Sequence, residues 1–208
     1  MTRDPAAART ALLDAGAWFA DLVGELRPHH WTRPGLGTWD VRALVGHTHR
    51  ALVTLGTYLT VPAEDETCTG VAQYYALSAA ATDPGEVAAR GVAAGHELGR
   101  HPDATVRASL ERARDALAQV PLEEDPLIRT VVGGTRVRAY VPTRTFELAV
   151  HGLDVARACA LDRRPPEHVL ADAGQTALEI AASGGRLPEV LLALTGRRPL
   201  PPGFSVLG

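Results

Sequence analysis

The sequence contains no lysine, so all 21 of its basic residues are arginines, and 24 acidic residues outnumber them. A net charge of −3 offers no cationic surface to a polyanion, so the composition argues against nucleic-acid binding. No apolar run approaches the roughly 18 residues that a membrane-spanning helix needs, and no apolar stretch follows the charges at the amino terminus. The sequence therefore predicts neither a membrane span nor a signal peptide.

Cysteine is also scarce. Cys68 and Cys159 are far apart and lack the Cys-x-x-Cys spacing of redox or zinc-thiolate sites. With no signal peptide expected, this favours a reduced, cytoplasmic protein. Cys159 is predicted to be a small buried hydrophobe on a helix, and Cys68 an exposed loop thiol.

Helical periodicity accounts for most of the chain. Asp4-Pro5 and Asp40 are typical helix starts, since an aspartate can cap the first turn and proline fits the first helical position. After an Ala-rich stretch with one short and one medium helix, two further long helices are expected. The predicted long helices are 5–27, one that begins after Asp40, about 103–120 and about 143–160.

Between the third and fourth long helices the period changes from helical to alternating. Residues 126–141 place two runs of β-branched residues around Gly133-Gly134, which predicts a β-hairpin. Helical segments at 168–183 and 187–195 follow. The expected fold is thus mainly α: a four-helix bundle over residues 1–162 and a helical C-terminal extension over 163–208 packed on it.

The fourth helix carries the residues that point to chemistry. Glu147, His151 and Asp154 share one stripe, and side chains four residues apart can converge on one ion. Two other Glu-x-x-x-His pairs occur, but Pro28 interrupts one and Gly99 the other.

Apolar neighbours make an unpaired carboxylate at position 147 costly, and a divalent ion is one way to satisfy it. A buried hydrogen bond between Glu147 and His151, or a salt bridge with Arg144, is the alternative. The pattern alone leaves both open.

A third metal ligand is available from the second helix, where Gly46 has no side chain and leaves space beside His47. The apolar periodicity places His49 nearer the centre of the stripe than His47, so the pattern alone slightly favours His49. The remaining histidines are predicted to be exposed; they are His29, His30, His96, His101 and His168.

Three stretches resemble the mycothiol-dependent maleylpyruvate isomerase family, the actinobacterial branch of the DinB-like metal-binding bundles. They are Trp39-Asp-Val-Arg-Ala-Leu-Val-Gly-His47, Arg144-x-x-Glu147-x-x-x-His151-x-x-Asp154 and Leu194-Thr-Gly-Arg197. The resemblance implies a DinB-like four-helix bundle in which His47, Glu147 and His151 hold the metal. It also implies that Asp154 supports a ligand and that His49 is not one.

Two histidines and one carboxylate with vacant positions suit zinc best, with nickel or iron as further candidates. The resemblance implies that the metal binds the sulfur of mycothiol, a low-molecular-weight thiol, and keeps it as a thiolate that isomerises or S-conjugates a small electrophile. Cationic Arg144, Arg136 and Arg138 are candidates for binding substrate or thiol carboxylates, with salt bridges or a solvated face as the alternative.

Two other functions stay open. One is a non-catalytic metal-binding or ligand-sensing bundle that works through a partner, with a homodimer as one such arrangement; the other is a metal hydrolase whose nucleophile is bound water. Only about 45 residues follow the fourth helix, so no full second domain is expected after it, and the resemblance does not imply maleylpyruvate itself as the substrate.

Overall fold

The computed structural model describes residues 3–121 and 123–207, without the side chain of Pro84, and it is mainly helical as predicted. The described residues contain eight α-helices, one 3₁₀ turn and two strands. The helices are α1 Pro5–Gly24, α2 Val41–Tyr58, α3 Val71–Ala81, α4 Pro84–Glu97, α5 Pro102–Ala118, α6 Val137–Ala158, α7 Glu167–Ser183 and α8 Leu187–Leu194. The 3₁₀ turn is Pro28–His30, and the strands are β1 Leu127–Thr130 and β2 Gly133–Arg136.

Helices α1, α2, α5 and α6 form the four-helix bundle, because α1 and α2 each pack against both α5 and α6. Their facing sides supply most of the fully buried side chains of the core, among them Leu12, Phe19, Leu44, Leu52 and Leu148. Burial of each such side chain contributes roughly 1.5 to 3 kcal/mol. The bundle and the small hairpin before its last helix confirm the predicted fold class.

The first two helices begin where their capping residues predicted. A carboxylate oxygen of Asp4 accepts a hydrogen bond from the amide of Ala7 at 3.1 Å, and Asp40 accepts one from the amide of Ala43 at 2.8 Å. Each cap satisfies a backbone N–H that has no partner within the helix and contributes about 1 kcal/mol.

Two outer layers cover the bundle. Helix α4 lies on α2 at a very close approach, because a Cβ at Gly46 would collide with the backbone of Gly95. Helix α7 packs on α6, α3 and α1, and α8 packs on α7 without burying any of its own residues. Within the described residues, no helix is long and apolar enough to cross a membrane.

The hairpin is shorter than predicted. Its strands pair from Leu127 with Arg136 to Thr130 with Gly133, so the turn is Val131-Val132 and the two glycines belong to β2. The expected second strand over 137–141 is the start of α6 instead. Pro142 lies inside this helix, and four of the five residues before it, Val137, Ala139, Tyr140 and Val141, are buried, so their alternation did not indicate a strand.

Two predictions of exposure were wrong. Cys68 is fully buried, because the segment before α3 lies along the hairpin and the amide of Cys68 donates to the carbonyl of Gly134 at 3.0 Å. His30 is buried, and its Nδ1 accepts the amide hydrogen of Arg27. The burial of Cys159 is confirmed, and the other four histidines predicted to be exposed are exposed.

Candidate metal centre

The fold brings together His47 of α2 and two residues of α6, Glu147 and His151. Oε2 of Glu147 lies 3.4 Å from Nε2 of His151 and 3.8 Å from Nε2 of His47. One donor atom from each residue lies within 4.8 Å of the others, and residues 3–121 and 123–207 hold no second cluster of this kind. The three side chains are 18 to 22 % exposed, so the group is enclosed yet reachable.

The position of His47 depends on the close packing of α2 and α4. Its ring lies against Trp39, with ring centroids 4.6 Å apart, and Nε1 of Trp39 donates to the carbonyl of Ala88 in α4 at 2.9 Å. Gly91 gives the indole its space, since a Cβ there would collide with the ring. Trp39 therefore packs at the start of α2, and its indole supports the imidazole of His47 by ring contact.

Asp154 fixes the orientation of His151 from one turn further along α6. Its Oδ2 lies 3.3 Å from Nδ1 of His151, and its Oδ1 lies 3.5 Å from the guanidinium of Arg157. In the neutral ring, a proton on Nδ1 shared with Asp154 makes Nε2 the nitrogen that can bind a metal. Burial lowers the pKa of His151, but its hydrogen bonds with Asp154 and Glu147 outweigh burial and raise the pKa to about 9.

Glu147 is held as a carboxylate. Burial by itself raises its pKa, but the nearby imidazoles of His151 and His47 and the charge of Arg144 outweigh burial, so the pKa lies well below its usual range. Its second oxygen, Oε1, lies 3.0 Å from the hydroxyl of Tyr75 in α3. Burial, followed by the charge of Glu147, raises the pKa of Tyr75, so this phenol is a hydrogen-bond donor.

Tyr75 was missed by the sequence analysis. It lies 72 residues before Glu147, on a short helix outside the four-helix bundle, and no spacing rule connects the two residues. A polar aromatic residue in an otherwise Ala-rich helix was the only available signal.

Arg144 is buried beside Glu147 and has an unusual environment. Its Nε donates to Oγ1 of Thr143 at 3.0 Å, and its guanidinium carbon lies 5.4 Å and 4.9 Å from the ring centroids of Tyr74 and Tyr140. Among the described carboxylates, none forms an ion pair with it, so the predicted alternative of a salt bridge does not apply. The main neighbours of this permanent cation are therefore the faces of aromatic rings.

The metal-ligand candidates and Arg144 line one cavity of about 430 Å³. Arg50 and Arg90 also line it; Arg90 pairs with Glu86 at 3.7 Å, whereas Arg50 forms no ion pair within the described ranges. The cavity of an acidic protein is thus lined by three guanidinium groups beside one carboxylate. It suits a small anionic ligand.

The other predicted candidates lie elsewhere. Arg136 pairs with Glu66 at 3.1 Å, and Arg138, which belongs to α6 and not to the hairpin, pairs with Asp125 at 2.9 Å. Neither lines the cavity, and both match the salt-bridge alternative.

His49 points away from the metal-ligand candidates. Its Nε2 lies 2.8 Å from Oγ of Ser109 in α5, and burial, together with the charges of Arg112 and Arg50, lowers its pKa to about 4. It is a buried neutral histidine within the bundle.

The geometry of His47, Glu147 and His151 suits a divalent ion. Zinc binds histidine nitrogen and carboxylate oxygen at about 2.0 to 2.2 Å, which puts two tetrahedral ligand atoms about 3.3 to 3.5 Å apart. The two distances from Oε2 of Glu147, 3.4 and 3.8 Å, lie within a few tenths of an ångström of this separation, and the ligand atoms of the three residues all lie within 4.8 Å of one another. Two histidines and one carboxylate also leave coordination positions open toward the cavity.

Comparison with protein families identifies the type of domain. The family model of the mycothiol maleylpyruvate isomerase N-terminal domain matches residues 12–156. The chain belongs to this family. The match spans more than half of the chain, includes His47, Glu147 and His151, and confirms the resemblance found in the sequence. No match was found among curated proteins or among solved structures.

Family membership associates this chain with mycothiol, and the cluster of His47, Glu147 and His151 gives it a possible metal site.

Proposed function

We propose that this member of the mycothiol maleylpyruvate isomerase family is a divalent-metal-dependent enzyme that uses mycothiol to isomerise or S-conjugate a small electrophile. The carrying observation is that His47, Glu147 and His151 converge at the wall of a 430 Å³ cavity that also contains the buried cation of Arg144. Family membership supports the thiol as the cosubstrate.

In this proposal His47, Glu147 and His151 hold the ion, for which zinc is the first candidate and nickel or iron the next. The bound ion would act as a Lewis acid that lowers the pKa of the thiol. Asp154 keeps Nε2 of His151 directed at the site, and Trp39 does the same for His47 by packing.

Arg144 is assigned to a carboxylate of the substrate. Its guanidinium is permanently charged, and within the described chain it has no carboxylate partner to displace, so an incoming anion meets an available donor. The rings of Tyr74 and Tyr140 hold the guanidinium in place and keep water from its faces. A hydrogen-bonded anion there would lie one helical turn from Glu147.

Metal content per chain tests the proposed ligands. The wild-type protein, purified without chelator or a metal-binding tag, is compared with His47→Ala, His151→Ala and His49→Ala by inductively coupled plasma mass spectrometry. We expect near-stoichiometric metal in the wild type and in His49→Ala, and its loss in the other two variants. Wild type that stays metal-free, even after incubation with zinc, nickel or iron, would refute the metal site.

Turnover tests the enzyme. We expect conversion of small conjugated electrophiles that requires added thiol and is abolished by Glu147→Ala. Turnover without thiol would indicate a metal hydrolase instead. Stoichiometric metal that stabilises the fold without any turnover would indicate a metal-binding or ligand-sensing bundle.

A further inference from the structure

The two carboxylate oxygens of Glu147 have different partners. Oε2 is the atom that approaches the nitrogens of His47 and His151, at 3.8 and 3.4 Å. Oε1 instead lies 3.0 Å from the hydroxyl of Tyr75. A carboxylate can bind a metal through one oxygen or through both, so its second partner decides how it binds.

Packing and hydrogen bonds hold the phenol of Tyr75 beside Glu147. Its ring packs edge-on against Phe146, with centroids 5.5 Å apart, on the same helix as Glu147. Its single hydrogen has two acceptors in reach, Oε1 of Glu147 at 3.0 Å and the carbonyl of Thr143 at 3.2 Å. Oε1 is nearer and charged, and hydrogen bonds to charged acceptors are roughly twice as strong as neutral ones.

We propose that Tyr75 is a positioning residue that makes Glu147 a one-oxygen metal ligand, with Oε1 retained by the phenol and Oε2 directed at the ion. The inference rests on the metal site of the proposed function. Its consequence concerns the open coordination positions. If the phenol is removed, the carboxylate is free to rotate and to bind through both oxygens, which takes up a position that otherwise faces the cavity.

The same helix provides a matched control. Tyr74 is adjacent to Tyr75 and also lines the cavity, but its ring faces Arg144, and no hydrogen bond of its hydroxyl occurs within the described residues. Tyr75→Phe and Tyr74→Phe therefore delete the same atom from neighbouring residues. Only the first deletion removes a contact to a metal ligand.

Zinc affinity is measured by competition with a chromophoric chelator, and the coordination number by the visible absorption of the cobalt(II)-substituted protein. We expect Tyr75→Phe to bind zinc about 10 to 100-fold more weakly, the range for loss of a residue that orients a metal ligand. We also expect weaker cobalt bands from a more highly coordinated ion. Tyr74→Phe should match the wild type in both measurements.

A double-mutant cycle tests whether Tyr75 acts through Glu147. In a Glu147→Gln background, where zinc is left mainly with the two histidines, Tyr75→Phe should not change the residual affinity. Equal losses in both backgrounds would mean a general effect on the fold and would overturn the inference, as would an unchanged affinity and spectrum in Tyr75→Phe. Wild type that binds neither zinc nor cobalt would overturn the proposed function as well, so the two failures are distinguishable.

Discussion

Alanine at position 46 should damage both the fold and the metal site, although glycine to alanine is the smallest possible change. A Cβ on Gly46 would overlap three backbone atoms of α4, in Ala94 and Gly95, at distances that real Cβ atoms do not show. Backbone cannot rotate out of the way as a side chain can, so α2 and α4 must separate. Overpacking of this kind costs about 1 to 3 kcal/mol.

Gly56, in the same helix, supplies the matched control. A Cβ there meets nothing within 4 Å, and alanine is favoured over glycine in a helix by about 1 kcal/mol. Gly56→Ala should therefore leave stability unchanged or raise it by up to about 1 kcal/mol. The two substitutions make the same chemical change, but Gly46→Ala should lower the free energy of unfolding and Gly56→Ala should not.

The assay is urea denaturation of the metal-free proteins in the presence of chelator, followed by zinc affinity of the folded variants. Since His47 follows Gly46 directly, separation of α2 from α4 should also weaken zinc binding in Gly46→Ala but not in Gly56→Ala. If Gly46→Ala proves as stable as Gly56→Ala, the close contact between the two helices is not a feature of the protein in solution, and the account of how His47 is positioned fails.

Three further predictions concern metal, anion and proton binding. Zinc at 100 times its dissociation constant should raise the free energy of unfolding by about 2.7 kcal/mol, measured by urea denaturation, and His151→Ala should abolish this gain. Arg144→Gln should raise the KM for a carboxylate-bearing substrate by about 10 to 100-fold, which corresponds to the loss of one hydrogen bond to a charged group, and should leave the zinc content unchanged. An unchanged KM would show that Arg144 does not bind the anion. Burial, followed by the charges of His29 and Arg33, lowers the pKa of His30, and Nδ1 of His30 accepts a backbone hydrogen bond. The folded protein therefore favours the neutral imidazole, so the contribution of His30 to stability should be complete above pH 6.5 and decline below it. Urea midpoints of wild type and His30→Asn should therefore converge as the pH falls from 7.5 to 5, and a constant gap would contradict this.

The starts of α1 and α2 and the pairing of Glu147 with His151 were determined by local sequence. A cap acts within one turn of its helix, and residues four apart on an uninterrupted helix share a face whatever surrounds it. For the same reason the other two Glu-x-x-x-His pairs could be set aside, since Pro28 and Gly99 interrupt them. Gly99 indeed adopts a positive φ of 69°, beyond the end of α4.

The sequence pattern alone could not decide between His47 and His49 as the third metal ligand. His47 and His49 are separated by about 200° around α2, so they face nearly opposite sides, and only the position of α6 decides which side holds the site. Periodicity favoured His49 because that side faces the core, and the family resemblance favoured His47. The boundary between β2 and α6 was also predicted wrongly, because the alternation over residues 137–141 resembled a strand and their burial inside the bundle was not visible in the sequence.

The sequence by itself thus determined the helical class of the protein, the family and the Glu147–His151 pair, since these depend on spacing along a single helix or on motifs that can be read directly. The tertiary structure alone decided the burial of Cys68 and His30, the contact of Tyr75 with Glu147, and the surroundings of Arg144, which has no ion pair among the described residues. Each of these depends on which distant segment packs against the residue, and such a contact between helices far apart in the chain leaves no period or spacing in the sequence.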